Sequence, residues 1–473
     1  MNPFEIIGFY LRLKARWSRC TTSRMLTQAD LDVRSLGERR FPSPLELSTV
    51  PGDEIADYVP DRARLALTVE SMAGEPAEAS LVFEKAGPRE ALFFDPASTR
   101  AAIVTCGGLC PGINNVLRSM VLELHHKYRV KEVLGFRYGF EGLSPDEGVP
   151  PIHLGPDQVR SIHTMGGSFL GLSRGRQEPK VMVDTLEERG IDILFAIGGD
   201  GTLRGAHAIH EEITRRGARI AVVAVPKTID NDIAFVDKTF GYDSAVEMAR
   251  TAVDAGHTEA IGARNGISVV KLMGRDSGFI AAAATLASLE VNFCLVPEVR
   301  FDLEGEIGLF SALERRLTER AHALIVVAEG CGGSLEGAGV ERDASGNVRY
   351  ASASADIGPV LRDAIAAHFA KQGTRVSVKY IDPSYMIRSV PANASDSIFC
   401  DSLARHAVHA GMAGKTDLVI GRWHRLFTHV PLPVSIGQKK RLDPDGDLWL
   451  AVTETTGQPP LSRVDPSRSR RTR

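Results

Sequence analysis

Short, unbroken apolar runs recur through the middle of the chain, and most of them lead into a turn rich in glycine or acids. The clearest run, at residues 193–197, predicts a buried strand that breaks into GGDGT and then a helix over residues 203–215. Similar patterns predict further strands at 102–104, 133–137, 221–225, 267–272 and 324–330, and a helix at 114–126. This alternation predicts a doubly wound α/β fold with a parallel sheet.

Three glycine-rich turns, TCGGLCPG at 105–112, GGSFLGLSRG at 166–175 and GGDGT at 198–202, are candidates for binding anions. Glycines let backbone N–H groups approach phosphate oxygens, and a helix N-terminus adds partial positive charge. Asp200 would repel a phosphate unless a cation lies between them, so we predict that Asp200 binds Mg²⁺. The alternative is a tight turn that carries a solvated aspartate.

The segment PKTIDND, residues 226–232, places a lysine, a hydroxyl and two carboxylates directly after a predicted strand. Such closely spaced acids repel one another unless they share a cation or a proton. Asp230 and Asp232 differ by two positions, so an extended turn directs both to the same side. We predict that one removes a proton from a substrate hydroxyl while the other orients it or supports the metal. The alternative for Asp230 is an Asx-turn or a helix cap.

Composition narrows the class of protein. A chain of 473 residues with 43% hydrophobic and 24% charged residues is typical of a soluble protein with more than one domain. The net charge of -3 gives no reason to expect nucleic acid or a membrane surface as partner, and no apolar run is long enough to span a bilayer. Six scattered cysteines indicate no disulfide scaffold and favour a cytoplasmic location.

The two ends of the chain differ from its middle. Residues 1–97 form a leading segment whose first twenty residues fit a basic amphipathic helix, a poorly ordered tail or a start before the true one at Met25. Short strands are predicted at 65–69 and 81–83. Beyond Trp423 the pattern becomes irregular, and residues 462–473 are predicted to be a disordered, Ser/Arg-rich tail.

The ordered set of motifs resembles the phosphofructokinase family, most of all its long ATP-dependent members from plants and trypanosomatids. The set is TCGGLCPGINN, GGSFLGLSRG, AIGGDGTLRGA, VPKTIDNDI, FGYDSA, VVKLMGRDSGFIA, LVPEV, VVAEG and DPSYMIRS, over roughly residues 98–425. GGDGT alone would be a weak sign, because kinases of NAD and diacylglycerol also contain it. The resemblance implies transfer of the ATP γ-phosphoryl group to the 1-hydroxyl of fructose 6-phosphate, with Mg²⁺.

The resemblance also implies an architecture of two α/β domains with the active site in the cleft between them. The nucleotide domain would span residues 98–241 with a return segment at about 387–425, and the sugar domain residues 242–386. Residues 1–97 would be an N-terminal extension, and 426–473 a C-terminal segment with the basic tail. Relatives are homo-oligomers, usually tetramers and sometimes dimers.

Residue by residue, the resemblance assigns roles to the motifs. Asp230 would be the general base, Thr228 would hold the transferring group, and Arg275 would meet the phosphoryl group or the sugar phosphate. The residues assigned to ATP are Gly108, Arg174, Gly175, Gly199, Asp200, Gly201, Thr202 and Gly205. Those assigned to the sugar phosphate are Thr228, Ile229, Asp230, Met273, Gly274, Arg275, Glu329, Lys379, Tyr385 and Arg388.

The choice of phosphoryl donor depends on two positions. Relatives that use pyrophosphate carry Asp where this chain has Gly201 and Lys where it has Lys227, whereas simple bacterial ATP-dependent relatives have Gly at both. Gly201 leaves room for the α-phosphate of ATP, so we predict ATP as donor, with pyrophosphate as the alternative. Asn265–Gly266 lacks the Arg that simple bacterial relatives contribute across a subunit boundary.

Overall fold

The computed structural model describes residues 26–70, 81–145, 149–175, 177–334, 340–342, 348–350 and 356–463. The expectations for residues 1–25, and for most of the Ser/Arg-rich tail, lie outside these ranges. The strands are β1 (Arg34–Ser35), β2 (Phe41–Pro42), β3 (Arg64–Ala66), β4 (Val82–Lys85), β5 (Ala91–Leu92), β6 (Arg100–Thr105), β7 (Glu132–Phe136), β8 (Ile152–His153), β9 (Ile193–Gly198), β10 (Ala221–Pro226), β11 (Gly266–Leu272), β12 (Phe293–Leu295), β13 (His322–Ala328), β14 (Val340–Arg342), β15 (Val348–Tyr350), β16 (Ser377–Ile381), β17 (Lys415–Thr416), β18 (Leu418–Trp423) and β19 (Leu426–Pro431).

The α-helices are α1 (Gln28–Leu31), α2 (Ile113–Leu122), α3 (Pro179–Glu188), α4 (Asp200–Arg216), α5 (Tyr242–Ile261), α6 (Phe279–Ser288), α7 (Leu309–Arg320), α8 (Ile357–Lys371), α9 (Ala394–Met412), α10 (Leu432–Ile436) and α11 (Asp447–Thr456). A π-helical turn, Glu123–Lys127, extends α2, and short 3₁₀ turns cover Gly139–Leu143, Ile162–Thr164, Glu329–Ser334 and Met386–Arg388. The strands and helices predicted from the apolar runs are confirmed, with ends that shift by one to a few residues.

The larger sheet has nine strands in the order β3-β4-β19-β18-β10-β9-β6-β7-β8. Its centre, from β18 through β10, β9 and β6 to β7, is parallel. Alternate side chains of β9 enter different apolar clusters, Ile193, Phe195 and Ile197 on one face and Leu194 and Ala196 on the other. Helices α2 and α9 cover the first face, and α3 and α4 the second. Burial on both faces explains why these strands appear as continuous apolar runs.

The smaller sheet has four parallel strands in the order β12-β13-β11-β16. Its side chains join the same apolar cluster as α5, α6 and α7. Two sheets with parallel central strands, flanked by helices, are the predicted α/β fold. The candidate site lies at the carboxyl ends of those central strands.

The ends of the chain contribute more structure than the sequence pattern predicts. Strands β3 and β4, from the leading segment, extend the larger sheet through β19. The expectation of irregular structure beyond Trp423 is wrong, because β19 forms a hairpin with β18 and helices α10 and α11 follow. The turn of this hairpin has His424 and Arg425 at φ 48° and 68°. These residues lack the usual Asn-Gly signature of such turns, so the pattern gives no hairpin signal.

No helix within the described ranges is long and apolar enough to cross a membrane. The five cysteines in those ranges are free and buried. Burial raises the pKa of the Cys106 and Cys110 thiols to about 12.

Candidate active site

A cleft of about 470 Å³ lies where the loops after β6, β9, β10, β11 and β13 converge. Most of the predicted site residues line it: Gly108, Arg174, Gly175, Gly199, Asp200, Gly201, Thr202, Gly205, Lys227, Thr228, Ile229, Asp230, Met273, Arg275, Glu329 and Arg388. Loops at the carboxyl ends of parallel strands meet at one edge of a sheet, so residues far apart in sequence share this cleft.

The GGDGT turn forms the amino end of α4. Gly199 is the N-cap residue with an extended backbone, and its carbonyl accepts hydrogen bonds from the N–H groups of Thr202 at 2.8 Å and Leu203 at 3.0 Å. Asp200 and Gly201 are the first two helical residues, and the Asp200 carboxylate pairs with Arg204 one turn along. The positive end of the helix dipole therefore faces the cleft at Gly201.

Two arginines converge on the first glycine turn. A Cβ at Gly108 would lie 3.0 Å from Arg174 Nη2 and 3.3 Å from Arg388 Nη1, so a larger residue would displace both guanidinium groups. Arg388 Nε is buried, and it donates a hydrogen bond to none of the described residues. A polyanion would pair with both positive charges, because one guanidinium group can donate two parallel hydrogen bonds to phosphate oxygens.

Lys227 joins the loops after β6 and β10. Its ammonium is buried and donates a hydrogen bond to the Gly108 carbonyl oxygen at 2.7 Å. Burial lowers the pKa of Lys227. This contact fixes a positive charge behind the glycine turn, on the floor of the cleft.

Residues 227–232, which follow β10 and which we call the acidic loop, hold Asp230 in a defined position. The Asp230 N–H donates to Thr228 Oγ1 at 3.1 Å, and Ser277 Oγ donates to the Asp230 carbonyl oxygen at 3.0 Å. Asn231 adopts φ 53°, in the left-handed region that Asn tolerates, and its Oδ1 accepts the Thr239 N–H at 3.1 Å. Contacts from both sides of the cleft therefore determine where this carboxylate lies.

The Asp230 carboxylate is poorly solvated. Its Oδ1 is buried and accepts no hydrogen bond from any described residue. The pKa of Asp230 is raised to about 8, mainly by burial and also by the charges of Asp232 and Glu329, while Arg275 and Lys439 oppose the shift. A carboxylate with this pKa is a stronger proton acceptor than a solvated aspartate, as a general base requires.

The opposite wall of the cleft follows β11 and β13. Arg275 Nε donates to Glu329 Oε1 at 3.1 Å, and burial raises the pKa of Glu329. Gly274 has φ 127°, and a Cβ there would lie 2.4 Å from the Ser277 carbonyl oxygen. Glycine is therefore required at the position that turns the chain from β11 toward Arg275.

Of three residues predicted to bind the sugar phosphate, Arg388 lines the cleft and Lys379 and Tyr385 lie outside it. Lys379 is exposed on the edge strand β16, and Tyr385 is 75% exposed; neither lines the cleft. The Tyr385 ring stacks against the Arg388 guanidinium, with 4.8 Å between the guanidinium carbon and the ring centroid. Arg388 itself lies beside Gly108 and Arg174, near the predicted donor residues.

Sequence reasoning missed several charged residues in the cleft, Arg204, Asp276 and Lys439 among them. Asp276 follows Arg275, and Lys439 comes from the segment that was expected to be irregular; the two side chains form an ion pair. The sequence offers little sign of either. Lys439, Lys440 and Arg441 form a short basic run with no glycine turn or strand beside it, which is typical of a solvated surface.

A glycine turn at a helix N-terminus, with a buried carboxylate in the same cleft, is the arrangement expected of a phosphoryl-transfer enzyme. The family model described as phosphofructokinase matches residues 100–411, so the chain belongs to the phosphofructokinase family. The chain is 47% identical over 441 residues to an ATP-dependent 6-phosphofructokinase from Amycolatopsis methanolica, covering 91% of this chain and 95% of the relative. It is 44% identical over 436 residues to one from Trypanosoma cruzi, covering 91% of this chain and 88% of the relative.

Solved structures support the fold. A pyrophosphate-dependent phosphofructokinase from Marinobacter aquaeolei aligns with a TM-score of 0.62 at 19% identity, over 78% of this chain and 92% of that one. The phosphofructokinase of Pichia pastoris aligns with a TM-score of 0.58 at 22% identity, over 76% of this chain and 37% of that one.

An ATP-dependent phosphotransferase works with a divalent metal ion, and the cleft fits one. Burial raises the pKa of Asp232, and the negative charge of Asp200 also raises it, which is the repulsion that a cation shared by the two carboxylates would relieve. No group of three or more His, Cys, Asp or Glu side chains suited to a metal occurs in the described ranges. One or two carboxylates completed by substrate phosphates are the usual ligands of Mg²⁺ in such sites.

Proposed function

We propose that this protein is an ATP-dependent 6-phosphofructokinase, which transfers the γ-phosphoryl group of ATP to the 1-hydroxyl of fructose 6-phosphate. The products are fructose 1,6-bisphosphate and ADP. The observation that carries the proposal is the cleft that unites Gly201, at the amino end of α4, with Asp230 and Arg275. Relatives named ATP-dependent 6-phosphofructokinase, at 44–47% identity, support the same reaction.

In this proposal the 1-hydroxyl oxygen attacks the γ-phosphorus and Asp230 accepts the hydroxyl proton, while the bond to the ADP oxygen breaks. Asp230 lies within the buried part of the cleft and is held by Thr228 and Ser277, so little motion is needed for the transfer. Arg275 stabilises charge on the transferring group, and Glu329 orients both Arg275 and a sugar hydroxyl. Mg²⁺, held by Asp200 with Asp232 nearby, would shield the charge of the donor phosphates.

Gly201 supports ATP over pyrophosphate as the donor. Gly201 has no side chain to fill the cleft next to the helix N-terminus, which leaves space for an α-phosphate. Lys227, buried behind the turn, attracts either donor. We further propose a cytoplasmic location, which the free cysteines support, and a homo-oligomer, which the exposed Tyr385 and Met386 beside Arg388 support.

The test is a coupled assay in which the purified enzyme receives fructose 6-phosphate with either ATP or pyrophosphate. We expect turnover with ATP at least tenfold faster than with pyrophosphate. A preference for pyrophosphate would reverse the donor assignment. Turnover on NAD or diacylglycerol with none on fructose 6-phosphate would refute the whole proposal. The same preparation, measured by light scattering after size exclusion, tests the oligomer.

A further inference from the structure

Residues 437–442, which we call the C-terminal strap, cross the cleft beside the acidic loop. Lys439 forms an isolated antiparallel bridge with Ile233, and the Lys440 N–H donates to the Asp232 carbonyl oxygen at 3.0 Å. The Lys440 ammonium donates to the carbonyl oxygens of Val236 at 2.9 Å and Asp237 at 2.7 Å. The strap is thus attached by backbone and side chain to the loop that carries Asp230.

The other end of the strap is attached to the opposite wall. The Leu442 N–H donates to Glu298 Oε1 at 3.0 Å, and the same carboxylate accepts the Gly278 N–H at the start of α6. Since both sides of the cleft hold the strap, Lys439 occupies a fixed position between them.

The Lys439 side chain lines the charged cleft. It lines the cavity with Asp200, Asp230 and Arg275, and its ammonium pairs with Asp276. Among the neighbouring charges, Lys439 lowers the pKa of Asp232 the most. Its ammonium therefore lies close to this carboxylate.

The ion pair between Lys439 and Asp276 is partly open to solvent. The Lys439 and Asp276 side chains are 30% and 24% exposed, and ion pairs in contact with solvent contribute little to stability. A donor phosphate entering beside Asp200 would bring several negative charges next to this ammonium. The phosphate would therefore compete well with Asp276 for Lys439.

We propose that Lys439 binds the terminal phosphate of the donor, so that the C-terminal strap forms part of the active site. This inference rests on the proposed function. The family model matches only residues 100–411, so the strap lies outside the matched residues. The competing explanation is that the Lys439–Asp276 pair only ties the two walls of the cleft together.

The test compares Lys439→Met with Arg441→Met, a matched control that removes one exposed positive charge from the same strap. For Lys439→Met we expect kcat/KM for ATP to fall about 100-fold, a typical loss for a group that stabilises transition-state charge. Lys439→Arg should restore at least a tenth of the activity. Arg441→Met should stay within threefold of the unmodified enzyme.

Binding measured by calorimetry separates phosphate recognition from a structural tie. We expect Lys439→Met to lower the affinity for a non-hydrolysable ATP analogue at least tenfold, while the affinity for ADP changes less than threefold. Asp276→Asn removes the same ion pair but keeps the ammonium, so it should retain the preference for the ATP analogue over ADP.

Equal losses in Lys439→Met and Asp276→Asn, or no loss of ATP-analogue binding in Lys439→Met, would overturn the inference. Neither result would affect the proposed function, which the turnover of the unmodified enzyme tests separately.

Discussion

Replacing Gly201 by Asp would place a carboxylate at the second position of α4, on the wall of the cleft. The variant should fold, because the helix dipole favours a carboxylate in the first turn by about 0.3–1 kcal/mol. The added charge would occupy the volume that we assign to the α-phosphate of ATP. We therefore expect a selective loss of ATP as donor.

The size of the loss follows from Coulomb's law. A carboxylate and a phosphate oxygen about 4 Å apart repel by about 1 kcal/mol in bulk water and about 4 kcal/mol at the effective dielectric of a protein surface. Gly201 is partly exposed, so the true cost lies between these values. About 2–3 kcal/mol corresponds to a loss of about 100-fold in kcat/KM for ATP.

The assay is steady-state turnover with ATP and with pyrophosphate at saturating fructose 6-phosphate. Gly201→Asn is the matched control, since it has the same shape without the charge, and Gly201→Ala gives the effect of a single methyl group. We expect Gly201→Asn to lower kcat/KM for ATP less than tenfold. Gly201→Asp should retain turnover with pyrophosphate. If Asp and Asn reduce kcat/KM for ATP equally, the charge argument for Gly201 is wrong.

Four further predictions concern Asp230 and Gly205. Asp230→Ser should lower kcat by about 10²–10⁴-fold while calorimetry still detects fructose 6-phosphate binding; unchanged turnover would contradict the assignment of the base. Because Asp230 must be deprotonated to act and its pKa is raised to about 8, kcat/KM should rise with pH up to about 8 and fall about tenfold for each unit below it; a flat profile between pH 6 and 8.5 would argue against Asp230. The same raised pKa means that the folded, empty protein keeps a proton that the unfolded chain releases, so its stability should decrease from about pH 4 to about pH 8, and Asp230→Asn should remove most of that decrease in urea titrations. In Gly205→Ala the new Cβ would lie 2.5 Å from Phe140 Cε2, so we expect about 1–3 kcal/mol of destabilisation in urea; an unchanged midpoint would show that the Phe140 ring moves freely.

The amino-acid sequence was sufficient for features that depend on local chemistry. The apolar runs predicted β6, β9, β10 and β11 because strands covered on both faces need apolar residues at every position. Two of the three glycine turns and the TIDND acids follow those strands directly. Their convergence at one edge is a consequence of parallel strand order, so the sequence also predicted which of these side chains share a cleft.

Only the tertiary structure determined what reaches the cleft from elsewhere. Lys439 lies more than 200 residues after Asp230, and only the packing of the strap against Ile233 and Glu298 brings its ammonium to the acids. The position of β16 at the edge of the smaller sheet leaves Lys379 exposed, although its motif predicted a phosphate contact. Spacing within a motif fixes which side chains are neighbours along the chain. Which side chains from distant parts of the chain come into contact depends instead on how whole segments pack together. No local sequence pattern contains that information.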